Sequence, residues 1–365
     1  MLLIGLASPY VGAIADASAA KKRWLLFYTV VCVAATGMLF FVGPGDVTAG
    51  MVWFIIANIG FAGSLSICNG FLPEITDARN VGRISGYGYA LGYVGGLLAL
   101  ILCMPLLRGG VGPENHLLFR ASFVVSAVFY AVFSVPTFLW LRERAVPVAR
   151  PAGMSLARLG YTRLAATLRH VRSLPDMTWF FAAFLLFNDG IETVIYFSAI
   201  FAREVVGFTM GETVIMFMAV QVTALAGSVI FGHVSDRVGH KPALVGTLIL
   251  WCVVCGAAFA ATTRPRFWAV SLVAGLGLGS AQACSRGLMR LFVPVGRDAE
   301  FYGFFAICQK FSAVIGPVAY GVIASLWGDQ RIAIASVMVF FIAGLLLLAR
   351  VNVARGAEAA RVLNY

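Results

Sequence analysis

The chain has 365 residues, of which 61% are hydrophobic and 12% are charged, with a formal net charge of +11. A soluble protein is about 45–50% apolar and about 25% charged, so this composition excludes a water-soluble globular protein and a disordered chain. Several apolar runs reach or approach the ~20 residues that a helix needs to cross the hydrocarbon core. The runs are continuous, which excludes a membrane β-barrel with its short alternating strands. The sequence therefore predicts an all-α, polytopic membrane protein.

Windows of ~20 apolar residues predict eleven transmembrane helices, and short polar connections separate most of them. In chain order the predicted spans are 1–18, 24–43, 51–72, 84–107, 119–141, 177–201, 212–235, 242–262, 267–289, 301–325 and 331–350.

One connection, 142–176, is much longer than the others and strongly basic. Within it, residues 155–172 place most of their apolar side chains on one side of a helix and most of their arginines on the other. This pattern is typical of a helix on an anionic membrane surface, and a flexible tether is an equally good interpretation. The predicted organisation is an N-terminal transmembrane half (1–141), a basic cytoplasmic central loop (142–176) and a C-terminal transmembrane half (177–365).

The basic residues are distributed unevenly between the two sides of the membrane. If the central loop is cytoplasmic, twenty Lys and Arg residues lie on that side and six on the other, while Lys310 falls inside a span. By the positive-inside rule this predicts a cytoplasmic C-terminus and, with eleven crossings, an external N-terminus. The same distribution accounts for the positive charge without a nucleic-acid partner.

The sequence contains an internal repeat with a period of about 220 residues. GAIADASAAKKR begins at Gly12 and GHVSDRVGHKP begins at Gly232, and each places an aspartate (Asp16, Asp236) four residues after the glycine, before a basic turn. A second pair, NGFLPEIT and MRLFVPVG, repeats at nearly the same distance. Two matches at one spacing indicate a duplicated half.

The duplicated halves, the basic central loop and the G-x-x-x-D-R-x-G-H-K pattern of the second copy resemble the major facilitator superfamily. Within it, NGFLPEIT…GRISGYGYALGYVGG, FNDGIETVIYFSAIF and QACSRGLMRLFVPVGRDAEFYGFFAICQKFSAVIGP are similar to the autophagy-related vacuolar effluxer family and its bacterial relatives. The resemblance implies a bundle of two pseudo-repeated helical halves in a bacterial inner membrane. It also implies efflux of amino acids or similar small metabolites by alternating access.

The position of the repeat differs from the superfamily in one respect. There each half has six helices and the G-x-x-x-D loop follows the second, whereas here the first copy follows the first span. The resemblance therefore implies that a helix is missing before Met1 because the gene start is misplaced or truncated. The alternative is an authentic eleven-helix protein.

The sixth predicted span carries a polar group formed by Asn188, Asp189, Glu192 and Tyr196. Asp189 and Glu192 are three residues apart and so share a helical face, which Tyr196 continues. Charged groups at membrane depth cost about 2.5–3.5 kcal/mol each, so they require a reason. We expect a substrate-ammonium or proton-coupling site, because paired carboxylates favour protonation. The alternative is a solvated structural group near the outer mouth.

Two further spans carry polar residues suited to a substrate site. Lys310 in the tenth span needs a partner, for which the sixth-span carboxylates are candidates, and either a gating ion pair or a substrate-carboxylate site fits. Gln282 and Arg286 lie one turn apart in the ninth span, where they bind an anionic substrate group or, alternatively, the arginine extends to the membrane surface.

The loop motif supplies a separate, gating group of residues. By resemblance, Asp16, Asp236, Arg237 and Lys241 lock the cytoplasmic side between transport states and do not bind substrate. Glu74, Arg83, Arg297 and Glu300 are expected to form similar interhelical latches.

Three functional classes come into question for such a membrane protein. A secondary transporter of a small solute, with protons as a candidate coupling ion, fits the repeat and the buried polar residues. A membrane-embedded enzyme is disfavoured because the four histidines show no metal-ligand spacing, and because neither G-x-S-x-G nor H-E-x-x-H occurs. A non-transporting scaffold or sensor derived from a transporter is the third. No cofactor, metal, nucleic acid or oligomer is implied, and the predicted partners are the solute and the lipid bilayer.

Overall fold

The computed structural model describes residues 2–77, 79–107, 112–144, 155, 158, 161–162, 165, 174–294, 296–312 and 314–362. Its described elements are helices, as the unbroken apolar runs predict. In chain order they are α1 Leu2–Ser18, α2 Lys21–Met38, α3 Val47–Asn69, α4 Leu72–Ile75, α5 Val81–Leu107, α6 His116–Trp140, α7 Pro175–Glu204, α8 Met210–Val238, α9 His240–Ala260, α10 Arg264–Phe292, α11 Asp298–Phe311, α12 Ile315–Trp327, α13 Gln330–Ser336, α14 Met338–Ala349 and α15 Val353–Val362.

Ten of the eleven predicted spans are confirmed as helices long and apolar enough to cross a membrane, counted over the described residues. The prediction of eleven is wrong by one. The first predicted span, 1–18, forms α1, whose 17 residues extend only about 26 Å at 1.5 Å per residue, against a hydrocarbon core of about 30 Å. The tenth predicted span corresponds to Asp298–Trp327, which consists of α11 and α12, and residue 313 between them lies outside the described residues.

The chain forms two compact units. The first comprises 1–74, 95–167 and 296–307, and the second comprises 75–94, 168–295 and 308–365. These units do not follow the predicted boundaries, because the start of α5 groups with the second unit and residues 296–307 with the first. The division into repeated halves stays a prediction. The predicted surface helix over 155–172 lies almost wholly outside the described residues, and the predicted central loop ends where α7 begins at Pro175.

The first unit has a small apolar core beside α2. Leu25, Ile67 and Phe71 are buried together, with Tyr28 and Phe138 packed against them. The Ser64 and Tyr130 hydroxyls lie 2.9 Å apart, so one donates to the other. Each of these polar groups thereby gains a partner within the bundle, as membrane burial requires.

The second unit depends on close contact between α8 and α10. A Cβ at Gly227 or Gly279 would collide with main-chain atoms of the facing helix, which shows how closely the two backbones approach. Small residues of this kind are what allow transmembrane helices to pack without a hydrophobic driving force. Elsewhere in this unit Trp251 stacks on Phe341 with ring centroids 5.3 Å apart.

Candidate functional site

The first part of the site is formed by Asn188 and Asp189, which are fully buried in the middle of α7. The Asn188 amide donates to the Ser312 hydroxyl at 2.6 Å. Asp189 Oδ2 accepts the Gly316 N–H at 2.8 Å. Ser312 directly follows α11, and Gly316 lies in the first turn of α12. The buried polar residues of α7 are therefore directed at the end of α11 and the first turn of α12.

Glu192 and Lys310 extend this group within the same unit. Glu192 is half-buried and lies within electrostatic range of both Lys310 and Asp189. It makes no close ion pair with any described residue. The structure therefore brings the predicted acidic residues of α7 and the predicted lysine of α11 near each other. Tyr196 follows Glu192 by one turn but is 58% exposed, so it does not join the buried group.

Arg286 belongs to a second polar group, formed between α10 and the first turns of α5. Its Nε donates to the Ser85 hydroxyl at 2.9 Å and its Nη2 to the Ser85 carbonyl at 2.7 Å. The guanidinium lies 4.3 Å from the centre of the Tyr89 ring, a cation–π contact. These contacts hold the half-buried guanidinium against α5. Gln282 lies half-buried one turn earlier on α10.

The loop-motif aspartate Asp236 caps a helix. Its two carboxylate oxygens accept the N–H groups of Gly82 at 2.7 Å and Arg83 at 3.0 Å, in the first turn of α5. A negative charge at this position satisfies unpaired donors and stabilises the positive end of the helix. A Cβ at Gly82 would lie 2.5 Å from Asp236 Oδ1, so glycine is required for the approach.

Asp16, the repeat-related aspartate, makes the same contact in the first unit. Its oxygens accept the N–H groups of Ala299 at 3.1 Å and Glu300 at 2.9 Å, at the start of α11. The two motif copies thus cap crosswise: the first caps a helix from the second half of the sequence, and the second caps a helix from the first half. This exchange explains why the compact units differ from the sequence halves.

Lys21 forms the densest charge cluster described in the protein, and sequence reasoning did not select it. Its ammonium lies 3.0 Å from Asp16, 2.9 Å from Glu74 and 3.2 Å from Asp298, and it donates to the Gly70 carbonyl at 3.4 Å. One buried cation therefore holds together α1, α2, α4 and α11. The sequence did contain one indication of its importance: Lys21 and Lys241 are separated by the period of the internal repeat.

The remaining gating residues are placed differently in the second unit. Lys241 donates to the carbonyls of Ala349 at 3.2 Å and Val351 at 2.7 Å, so it caps the end of α14. Arg237 lies exposed at the end of α8. Nearby, the carboxylate of Asp176 binds Arg355 of α15 through two hydrogen bonds, which raise the pKa of that guanidinium. Lys241 therefore has the Asp176 carboxylate within electrostatic range, whereas Lys21 forms ion pairs with three carboxylates among the described residues.

Replacing Asp236 with asparagine is expected to lower the unfolding temperature, because one amide oxygen replaces two charged acceptors at the start of α5. The loss should be about 1 kcal/mol, as for other helix caps. Thermal unfolding of the purified protein in detergent measures it. The exposed neighbour Arg237 provides the control, since Arg237→Gln should stay within about 0.5 kcal/mol of the parent. Equal destabilisation by both changes would contradict the capping role.

Comparison with known proteins shows which family this chain matches. A profile of the family described as "Vacuole effluxer Atg22 like" matches residues 1–361. The MFS-type transporter YxiO of Bacillus subtilis (strain 168) is 26% identical over 351 residues, covering 95% of this chain and 81% of that protein. Autophagy-related protein 22 of Coccidioides immitis (strain RS) is 22% identical over 428 residues, covering 97% and 71%.

Solved structures agree on the fold. The human organic anion transporter MFSD10 superposes with a TM-score of 0.75 at 15% identity, covering 95% of this chain and 81% of that one. The fucose:proton symporter FucP of E. coli gives a TM-score of 0.71 at 14% identity, covering 96% and 90%. The family model, the relatives and the shared fold together show a major-facilitator-type secondary transporter, an integral membrane protein. Within that class, the chain belongs to the Vacuole effluxer Atg22 like family.

Proposed function

We propose that the protein exports a small zwitterionic metabolite, such as an amino acid, by alternating access. The observation that carries this proposal is the presence of opposite charges on neighbouring helices, Glu192 on α7 and Lys310 on α11, within electrostatic range inside the bundle. A carboxylate and an ammonium separated in this way complement the ammonium and carboxylate of a zwitterion. The family description, an effluxer, supports the outward direction.

Proton coupling is the second element of the proposal, with Asp189 and Glu192 as the coupling carboxylates. A buried carboxylate exchanges its charge for a proton at low cost, since burial disfavours the charged form. FucP and XylE are described as proton symporters, which supports proton coupling as the energy source in this fold class. On this proposal Arg286, held by Ser85 and Tyr89, orients or selects the anionic end of the substrate, together with Gln282.

Asp16, Asp236, Arg237 and Lys241 are proposed to control the cytoplasmic side. The two aspartates release their helix caps when that side opens, and Lys21 and Lys241 hold the neighbouring helix ends. The protein is proposed to lie in a bacterial inner membrane with its C-terminus in the cytoplasm. The excess of Lys and Arg in alternate loops supports this orientation, and the bacterial relative YxiO supports the location.

Flux into proteoliposomes tests the proposal. Reconstituted protein should exchange radiolabelled amino acids in counterflow, and a pH gradient should drive net uptake. Asp189→Asn and Glu192→Gln should each abolish the response to the pH gradient, whereas Arg266→Gln, which changes an exposed charge outside the proposed site and gate, should retain it. If counterflow is absent for all amino acids, peptides and sugars, transport itself is refuted. If both carboxylate variants keep the pH response, the coupling assignment is refuted.

A further inference from the structure

A cavity of about 480 Å³ lies in the second unit where two membrane spans terminate. One span, α9, begins at His240, and the other, α14, ends at Ala349. The two helices run antiparallel, since Lys241 donates to carbonyls at the end of α14 and Trp251, further along α9, stacks on Phe341. Because a span ends where the hydrocarbon core ends, the cavity lies at the membrane surface, in the layer of the lipid headgroups.

The lining of this cavity is positively charged. Its described lining residues include three cations, Lys241, Arg350 and Arg355, and no acidic residue. The Asp176 carboxylate nearby binds Arg355 through two hydrogen bonds and lies within electrostatic range of Lys241, so it balances one of the three charges. The remaining positive charge complements an anion, and basic pockets between transmembrane helices at the membrane surface are where anionic headgroups bind.

Arg350 is the lining cation with the most binding capacity left. Its guanidinium lies 4.8 Å from the centre of the Trp179 ring, a cation–π contact that uses the planar face of the group. Among the described residues none accepts a hydrogen bond from its N–H groups, so the edge that pairs with a phosphate through two parallel hydrogen bonds stays available. Trp179 is half-buried in the second turn of α7, and tryptophan is typical of the interface between membrane and water.

The two spans that end at the cavity also expose apolar side chains. These side chains are between 45% and 66% exposed: Val339, Ile342 and Leu346 on α14, and Ile249 and Val253 on α9. On each helix their spacing of three or four residues places them on one face. In a bilayer such faces contact acyl chains. One phospholipid can therefore place its headgroup in the cavity and its chains on these helices, which a free phosphate ion cannot do.

We propose that this cavity binds the phosphate headgroup of an anionic phospholipid whose acyl chains lie on α9 and α14. Arg350 binds the phosphate through the edge of its guanidinium, and Lys241 and Arg355 contribute positive charge. Because the cavity is lined by the start of α9, the end of α14 and the start of α15, the bound headgroup connects these three elements. The lipid is bound at the membrane surface and is not the transported solute, so the site does not depend on the proposed transport function.

Thermal unfolding of the purified, delipidated full chain tests the site without measuring transport. The unfolding temperature in detergent is followed as dioleoyl phosphatidylglycerol is added, with dioleoyl phosphatidylcholine and sodium phosphate in parallel at the same pH and ionic strength. Because a ligand that binds only the folded state stabilises it, we expect a saturable rise with phosphatidylglycerol that neither phosphatidylcholine nor inorganic phosphate produces. Native mass spectrometry of the same samples counts the bound lipid directly.

Charge variants locate the bound headgroup. Arg350→Gln removes the charged donors and should weaken the apparent affinity for phosphatidylglycerol on the order of tenfold. Arg361→Gln is the matched control: it makes the same change at an exposed position of α15 outside the cavity lining, and should leave the response unchanged. Lys241→Gln is the second test of the site and should also weaken the response. The quantity compared is the rise that lipid produces, so a lower starting stability of a variant does not obscure it.

Three results would overturn the lipid site. Equal stabilisation by phosphatidylglycerol and phosphatidylcholine would mean that the bundle responds to lipid in general. An equal rise with inorganic phosphate would mean that the cavity binds a soluble anion and no lipid. An equal loss in Arg350→Gln and Arg361→Gln would mean that only the overall surface charge matters. Solute flux in a protein without the lipid-dependent rise refutes this site alone, and the rise in a protein without flux leaves it intact.

Discussion

Replacing Lys21 with methionine is expected to destabilise the protein by about 3–5 kcal/mol, the range for removing one partner of a buried ion pair. The change deletes the cation that lies within 3.2 Å of Asp16, Glu74 and Asp298. Three carboxylates then remain close together with no counter-charge at the centre of the cluster. Methionine retains most of the apolar stem, so the loss reports the charge and its hydrogen bonds.

The unfolding temperature in detergent and sensitivity to proteolysis measure this loss. Lys22→Met is the matched control, because that neighbouring ammonium donates to a single carbonyl, Leu141, at 3.0 Å, and should cost about 1 kcal/mol. Adding Asp298→Asn to Lys21→Met should recover part of the stability, since it removes one of the mutually repelling carboxylates. If Lys21→Met is as mild as Lys22→Met, or if the double variant is worse than the sum of the single changes, the cluster is not held by Lys21.

The helices could be predicted from the sequence because a membrane span depends on local composition. Each apolar run of ~20 residues has to satisfy its backbone internally, which leaves the helix as its only solution. Element ends followed from local signals as well: Thr209 and Glu212 form a capping box at the start of α8. The start of α12 was also readable in principle, because Pro317 cannot donate a backbone hydrogen bond to the preceding turn and is favoured near a helix start.

The candidate site was predicted only where a single helix determines it. Asp189 and Glu192 are neighbours by helical spacing, and their depth in an apolar run marked them as unusual. Lys21, Asp298 and the Tyr89 contact of Arg286 were not selected, since each depends on which helices pack together. Lys21 and Asp298, for example, are 277 residues apart. Tertiary pairing of that kind is not encoded in any local pattern.

Replacing Gly279 with alanine is expected to destabilise the second unit by about 3 kcal/mol, the upper part of the range for overpacking. Gly279 is buried in α10 where it crosses α8. A Cβ there would collide with the Ala224 carbonyl and lie 2.7 Å from the Ser228 main-chain nitrogen. Both atoms belong to the backbone of a helix, so neither yields by a rotamer change, and the two helices must separate.

Gly246→Ala in α9 is the matched control for this prediction. It makes the same chemical change inside a transmembrane helix, but at a position where a Cβ meets nothing within 4 Å among the described residues. Alanine favours helix by about 1 kcal/mol over glycine, so Gly246→Ala should raise the unfolding temperature or leave it unchanged. Because Gly279→Ala gains the same propensity, the difference between the two variants isolates the packing cost. Equal unfolding temperatures for both would show that α8 and α10 are not in close backbone contact.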